Sequence, residues 1–86
     1  MYYLYLLVDS EGKTYVGYTA DLKKRIAAHN AGNNQSTRGS TWNLVYYEAY
    51  ASKSDAARRE RRLKQDGRSK QHLLKRVEGS IKSFIA

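Results

Sequence analysis

A glutamate at position 60 stands out because it interrupts the apolar side of a predicted helix. A helical repeat places Ala56, Ala57 and Leu63 on one stripe, and Glu60 lies in the middle of that stripe. Burying an unpaired carboxylate costs several kcal/mol or raises its pKa, so a cation is expected beside it. That cation is either an arginine, with Arg25 as the structural alternative, or a metal ion.

Two further polar residues take inward positions on an earlier helix. Over residues 21 to about 31, Leu22 and Ile26 form the inward stripe, and Arg25 and His29 lie close beside them. Arginine binds two phosphate oxygens at once, and histidine titrates near neutral pH. The structural alternative is that Arg25 extends to solvent while His29 is partly buried with one backbone partner.

The chain has eight tyrosines but only one Phe and one Trp. A tyrosine hydroxyl can donate to a phosphate oxygen or accept from a positioned water, although most tyrosines at strand spacing serve in packing. A hairpin loop at residues 10–12 would place Tyr5, Tyr15 and Gly17 on one sheet face, because side chains alternate along a strand. A two-residue loop would separate Tyr5 from Tyr15.

The elements that must position these residues follow from residue type and periodicity. Apolar, aromatic and β-branched runs predict three strands, and turn residues together with helical spacing predict three helices. The predicted strands are Tyr2–Val8, Thr14–Gly17 and Leu44–Tyr50. Two helices are predicted over Asp21–Ala31, capped by Thr19 or Asp21, and over Ser52–Gln65, where Ser52 and Asp55 are spaced as a near capping box. The chain after the Asp66-Gly67 break is predicted to form a third helix, particularly over Gln71–Val77. One domain over residues 1–86 is expected, with a core to about residue 77 and a C-terminal tail, frayed or forming a short final turn. Residues 30–42 are predicted to form a functional loop.

The net charge of +8 on 86 residues indicates a polyanionic partner, with nucleic acid as the leading class. An acidic membrane surface fits less well, because the basic helices lack a large apolar face. No run of about 20 apolar residues is present, which argues against a membrane-spanning helix. The absence of cysteine excludes disulfides and Cys-ligated zinc, and a cytoplasmic location is expected.

An ordered set of motifs carries a family resemblance. Tyr3-Leu4-Tyr5 is followed, ten residues after Tyr5, by Tyr15-Val16-Gly17. The segment YVGYTADLKKRIAAHN, the tripeptide STR and the late segment AARRERRLK come next along the chain. This set resembles the GIY-YIG nuclease superfamily, and in particular its small stand-alone bacterial members, over nearly all of the chain to about Val77.

The resemblance implies a small α/β (α+β) fold, in which a three-stranded antiparallel sheet is flanked by about three helices. The element prediction made from the residues agrees with it. By the same resemblance, five residues occupy the active-site positions of the family: Tyr5, Tyr15, Arg25, His29 and Glu60.

The sequence departs from the family pattern at four positions. Tyr3 replaces Gly in the first tripeptide, Val16 replaces Ile in the second, and His29 stands where other branches use Tyr. Tyr18 stands where some branches carry Lys. None of these changes removes an acid, a base or a metal ligand, but they leave the substrate and the rate open.

The resemblance implies a metal-dependent endonuclease that hydrolyses phosphodiester bonds in DNA, with structure selectivity and a role in DNA repair or processing. Glu60 would hold one Mg²⁺ or Mn²⁺, weakly in the absence of DNA. Arg25 would neutralise charge on the phosphate. Tyr5 and Tyr15 would position water and phosphate, with Tyr15 as the immediate base and His29 assisting it, or His29 itself as the base.

Basic residues outside the site would hold flanking phosphates without selecting a sequence. Lys23, Lys24, Arg38 and Lys64 are the candidates. DNA is the expected partner, with RNA as the other substrate left open, and no membrane or obligate protein partner is indicated. The competing interpretation is a non-catalytic nucleic-acid-binding module of the same fold, and a structural protein-interaction module is a third.

Overall fold

The computed structural model describes residues 1–33 and 37–85 of the chain. Their elements, in order, are β1 (Tyr2–Val8), β2 (Thr14–Thr19), α1 (Leu22–Asn30), β3 (Asn43–Tyr50), α2 (Lys53–Gln65), α3 (Gly67–Arg76) and α4 (Glu78–Lys82). The strands form one antiparallel sheet in the order β2-β1-β3, which confirms the predicted fold class. No helix in the described ranges is both long and apolar enough to cross a membrane.

The opening hairpin has the predicted three-residue loop. The Asp9 amide donates to the Lys13 carbonyl at 3.0 Å, and Gly12 takes the left-handed conformation with φ at 87°. The resulting register pairs Tyr5 with Gly17 and Leu7 with Tyr15. Tyr5, Tyr15 and Gly17 therefore share one face of the sheet, as the alternation predicted.

The central strand β1 is buried on both faces, which explains its uninterrupted apolar run. One face, here called the α2 face, packs its Leu4, Leu6 and Val16 against Leu63, Leu73 and Val77. The opposite face, the α1 face, holds Tyr5 and Leu7 against Trp42 and the apolar side of α1. The sheet is thus covered on one side by α1 and on the other by the three C-terminal helices.

Helix α1 begins where its capping residues predicted. The Asp21 carboxylate accepts from the Lys24 amide at 3.1 Å, and Thr19 Oγ1 accepts from the Asp21 amide at 3.1 Å. Past its end, Gly32 adopts a positive φ of 79°. These local hydrogen bonds fix the position of Arg25 on the helix surface.

The C-terminal helices differ from the sequence prediction in three details. The Ser52–Asp55 near capping box is not formed, because Ser52 Oγ bonds to Ser54 Oγ instead. Helix α3 begins at Gly67 itself, ahead of the stretch Gln71–Val77 where the prediction was clearest, since the Asp66 carboxylate caps the Arg68 amide. Residues 78–82 form a fourth helix, whose Ile81 packs against the α2-face core.

Candidate active site

A pocket of about 360 Å³ opens beside β2, the edge strand of the sheet. Its walls come from β1, β2, α1 and α2, and they bring together four of the five residues predicted to be catalytic. These are Tyr5, Tyr15, Arg25 and Glu60. The fifth, His29, is buried and contacts the rings of both Tyr5 and Tyr15.

Gly17 allows residues from both sides of the sheet to reach this pocket. It lies opposite Tyr5 in the register, and a Cβ atom at position 17 would overlap the Tyr5 hydroxyl. Because no side chain stands there, the Tyr5 ring extends across β2 to the pocket, where Glu60 arrives from α2. The glycine of the second tripeptide is thus required for close approach, while its φ is ordinary.

His29 is buried, at 1% exposure, and both of its ring nitrogens are engaged. Nε2 lies 2.8 Å from the Tyr5 hydroxyl and Nδ1 lies 2.8 Å from Thr37 Oγ1, with donor roles set by the tautomer. Trp42 Nε1 donates to the Thr37 carbonyl at 2.8 Å, and this hydrogen bond anchors the backbone at Thr37 to the core. The expectation of a partly buried histidine with one backbone partner is wrong. Of the STR tripeptide, Ser36 lies outside the described residues.

Burial determines the charge states of His29 and Tyr5, which are joined by a hydrogen bond. Desolvation, followed by the positive charge of Arg25, lowers the pKa of His29 below its ordinary value. Desolvation and the neighbouring Tyr15 raise the pKa of Tyr5 to about 12, and Arg25 opposes that rise only in part. Both groups are therefore neutral near pH 7, and the Tyr5 hydroxyl acts as a positioned hydrogen-bonding group.

Tyr15 is only partly buried, and its ring packs among aromatic neighbours. Its centroid lies 4.9 Å from that of His29 and 6.4 Å from those of Tyr5 and Trp42. His29 was expected to assist catalysis through Tyr15. The hydrogen bond of its Nε2 instead goes to Tyr5, so His29 meets Tyr15 through ring contacts.

The cation beside Glu60 is Lys64, one turn further along α2. Lys64 Nζ lies 3.4 Å from Glu60 Oε2 and 5.1 Å from the centroid of the Tyr15 ring. Within residues 1–33 and 37–85, Glu60 forms no ion pair with Arg25, so the structural pairing considered from the sequence is wrong. Lys64 was expected outside the site; it is not among the lining residues, but it contacts two residues that are, because α2 packs along β2 at this point.

Two other cations line the pocket without an ion pair in the part of the chain that the structure describes. Arg25 is exposed on α1, and Lys53 begins α2. Sequence reasoning did not identify Lys53, since only the packing of α2 against β2 brings the first turn of α2 to the pocket. Between them, Arg25 and Lys53 offer positive charge to a phosphate from two elements.

The remaining predicted phosphate contacts are spread around the site. Lys24 shares a neighbouring concavity of about 190 Å³ with Arg25 and Thr19. Lys23 is exposed on α1, and Arg38 Nε donates to the Gly32 carbonyl at 3.4 Å. Lys24 therefore lies next to the pocket, whereas Lys23 and Arg38 are not among the residues that line it.

The donor set of the pocket fits a weakly held Mg²⁺ or Mn²⁺. Glu60 is the one carboxylate among the lining residues, and tyrosine hydroxyls complete the oxygen donors. No group of three or more His, Asp or Glu side chains that could hold an ion occurs in residues 1–33 and 37–85. Mg²⁺ keeps several waters and needs only one or two carboxylates, whereas structural zinc requires four protein ligands.

A second glutamate cluster lies on the α2 face, and the sequence did not predict it. Arg59 holds both Glu48 oxygens, with its Nε and Nη2 donating at 2.9 to 3.2 Å. The Tyr46 hydroxyl donates to Glu48 at 2.6 Å, and the Tyr50 hydroxyl donates to its other oxygen. This cluster, here called the Glu48 cluster, joins β3 to α2.

Comparison with known proteins agrees with the geometry. Residues 1–76 match the GIY-YIG catalytic domain family. The chain is 43% identical over 76 residues to a UPF0213 protein of Halobacterium salinarum, covering 86% of this chain and 99% of that protein. It is 40% identical over 80 residues to a UPF0213 protein of Staphylococcus haemolyticus, covering 90% and 94% of the two chains.

A solved structure is similar as well. The solution NMR structure of a UPF0213 protein from Bacillus halodurans matches with a TM-score of 0.55 and 37% identity, over 87% of this chain and 84% of that one. The names of these relatives state no activity. The suggestion of nuclease activity therefore comes from the family.

Proposed function

This chain belongs to the GIY-YIG family, and from that premise we propose that it is a metal-dependent endonuclease that hydrolyses phosphodiester bonds in DNA. The family is typically one of nucleases, which generally use divalent metal ions and act on DNA. One observation carries the proposal: a single pocket joins Glu60, Arg25 and two tyrosines from four separate elements. We further propose Mg²⁺ or Mn²⁺ as the ion, and a role in DNA repair or processing in the cytoplasm.

The pocket can supply what phosphodiester hydrolysis requires. Arg25 and Lys53 neutralise charge on the phosphate oxygens as it grows in the transition state. Tyr15, acting as its phenolate, takes the proton of the attacking water as a new P–O bond forms; the bond to the leaving oxygen breaks, and that oxygen takes a proton from solvent. Tyr5, fixed by His29, holds the water or the phosphate in place. Glu60 would hold the divalent ion, which supplies further charge stabilisation.

Lys64 is compatible with this role of Glu60. Its pair with Glu60 joins residues one turn apart, and the two side chains are 45% and 23% exposed. Pairs of this kind contribute only about 0.3–0.5 kcal/mol, so an arriving divalent ion can replace the ammonium group. Lys64, once released, remains beside the pocket as a cation for the substrate.

Cleavage of single-stranded, duplex, flap and branched DNA, with Mg²⁺ or Mn²⁺, tests the proposal. Arg25→Ala should reduce cleavage by roughly 10²-fold, the scale for removing one charge stabiliser, and Arg25→Lys should restore it only in part. Lys23→Ala is the matched control, since it removes an exposed cation from the same helix outside the pocket; as a flanking phosphate contact it should weaken DNA binding but leave the cleavage rate of bound DNA near that of the wild type. Near-normal cleavage by a correctly folded Arg25→Ala variant would contradict the assignment.

The second candidate is a non-catalytic nucleic-acid-binding module, and the Lys64–Glu60 pair favours it, because that carboxylate already has a cation. Both candidates predict binding dominated by phosphate contacts, with affinity falling steeply as salt rises. They differ in cleavage alone. If the wild type cuts no substrate of the panel with either ion, while Glu60→Gln binds DNA identically, the binding module is correct.

A further inference from the structure

An exposed aromatic pair lies on the α1 face of the sheet, beyond the area that α1 covers. Tyr47 is 53% exposed, and its ring meets Tyr3 edge to face, with centroids 5.8 Å apart and an interplanar angle of 70°. An exposed ring of this size gives up stabilisation that burial would provide. The neighbouring residue of β1 on the same face, Tyr5, is by contrast almost fully buried.

The strand register places this pair beside the candidate active site. Tyr47 lies directly opposite Tyr5 on β3, and Tyr3 lies opposite Thr19, which lines the pocket. Neighbouring strands are about 4.8 Å apart, so the pair lies about 5–10 Å from the pocket wall formed by Thr19. With nucleotides about 3.4 Å apart along a stacked strand, a substrate reaches this distance within about three nucleotides.

The residues around the tyrosine pair indicate which kind of ligand would bind there. Lys24 and Arg25 border Thr19 on the same side of the sheet, so a strand leaving the pocket meets positive charge and then the tyrosine rings. Proteins bind unpaired strands through two features: cations that contact the phosphate backbone, and aromatic rings on which the bases stack. Two rings are a small patch for a protein partner, because a stable interface buries about 800 Å² on each side.

We propose that Tyr47 and Tyr3 form a stacking surface for an unpaired base near the scissile phosphate. In a duplex both faces of a base are covered by its neighbours, so these rings can receive only a base that is unpaired or turned out. The proposal rests on the endonuclease function and specifies its substrate class, which is DNA with a single-stranded segment next to the cleavage position, such as a flap.

Binding in metal-free buffer tests the stacking surface separately from cleavage. Tyr47→Ala should weaken binding of a thymidine oligomer and of a flap substrate by about 10-fold, while blunt duplex binding changes less than about twofold. Tyr47→Phe should bind as the wild type does, because it keeps the ring. Phe84→Ala removes a 41% exposed aromatic residue that follows α4, and it should change neither affinity.

An equal loss of affinity for flap and duplex DNA, or no loss of affinity for either, would overturn the proposed stacking surface. Light scattering is measured on each variant, because β3 is an edge strand and could pair with a second copy. Weaker binding that follows from loss of a dimer would also overturn it. If no substrate is cut yet the Tyr47 dependence persists, the endonuclease proposal fails and the stacking surface stands. If DNA is cut normally but its binding does not depend on Tyr47, the stacking surface is rejected and the endonuclease proposal stands.

Discussion

The predicted catalytic residues that line the pocket are one glutamate, one arginine and two tyrosines, the same residue types as in the Glu48 cluster, but they are arranged in the opposite way. In the cluster, Glu48 receives hydrogen bonds from Arg59, Tyr46 and Tyr50 on its two oxygens. In the pocket, the described contacts include no ion pair between Arg25 and Glu60, and the two side chains line a shared cavity. The hydrogen-bonding capacity of Glu48 is therefore used within the cluster, whereas the charges of Arg25 and Glu60 remain available to a ligand in the pocket.

This difference shows why residue composition alone does not locate chemistry. Burial works to raise the pKa of Glu48, but the hydrogen bonds from Arg59 and the tyrosines outweigh it and hold that pKa below its ordinary value. A carboxylate whose lone pairs are already used has little capacity for a metal ion. The ion pair of Glu60 with Lys64 is weak, so Glu60 can still exchange that partner for a divalent ion.

The largest expected effect is on the cleavage rate, and it distinguishes Glu60 from Glu48. Glu60→Gln keeps the shape but removes the charge that would hold the ion, so cleavage should fall by at least roughly 10³-fold. The fold should persist, since the pair with Lys64 that is lost is partly exposed and weak. Cleavage rates and thermal melting of the same preparation check both parts. A variant that still cuts at the wild-type rate would remove Glu60 from the mechanism.

The same substitution in the Glu48 cluster should affect stability instead. Glu48→Gln leaves Arg59 partly buried without its counter-charge, and the expected cost is about 2 kcal/mol, less than for a fully buried pair. In a domain of this size that corresponds to a fall in the melting temperature of roughly 10 °C. Below that temperature, cleavage should match the wild type. Lost cleavage in a folded Glu48→Gln variant would mean that the cluster is not purely structural.

The smallest effect is a pH dependence confined to the Glu48 cluster. Because folding lowers the pKa of Glu48 below its ordinary 4.5, its contribution to stability is complete above that value and is lost as pH falls through the folded-state pKa. The difference in melting temperature between wild type and Glu48→Gln should therefore be constant near neutral pH and shrink below about pH 4.5. A difference that stays constant into acid would contradict the stabilising role of the ionised form.

Local patterns were sufficient to predict most of the fold. The three strands, the first hairpin loop and helix α1 follow from turn residues, caps and periodicity, all of which act over a few residues. The shared face of Tyr5, Tyr15 and Gly17 follows from the loop length alone. The near capping box at Ser52 was predicted wrongly, and the Asp66 cap that starts α3 was not predicted, because competing side-chain hydrogen bonds decide such termini.

The sequence by itself determined which way the important side chains point around their own elements. It set Glu60 within the apolar stripe of α2 and His29 on the inner side of α1, because a helix repeats every 3.6 residues. Helical periodicity also places Lys64 one turn from Glu60. Only the tertiary structure decided what these side chains meet on other elements: the Tyr15 ring beside Lys64, and Tyr5 beside His29. The physical reason is that periodicity fixes a direction about one axis, whereas distances between elements depend on how whole faces pack together.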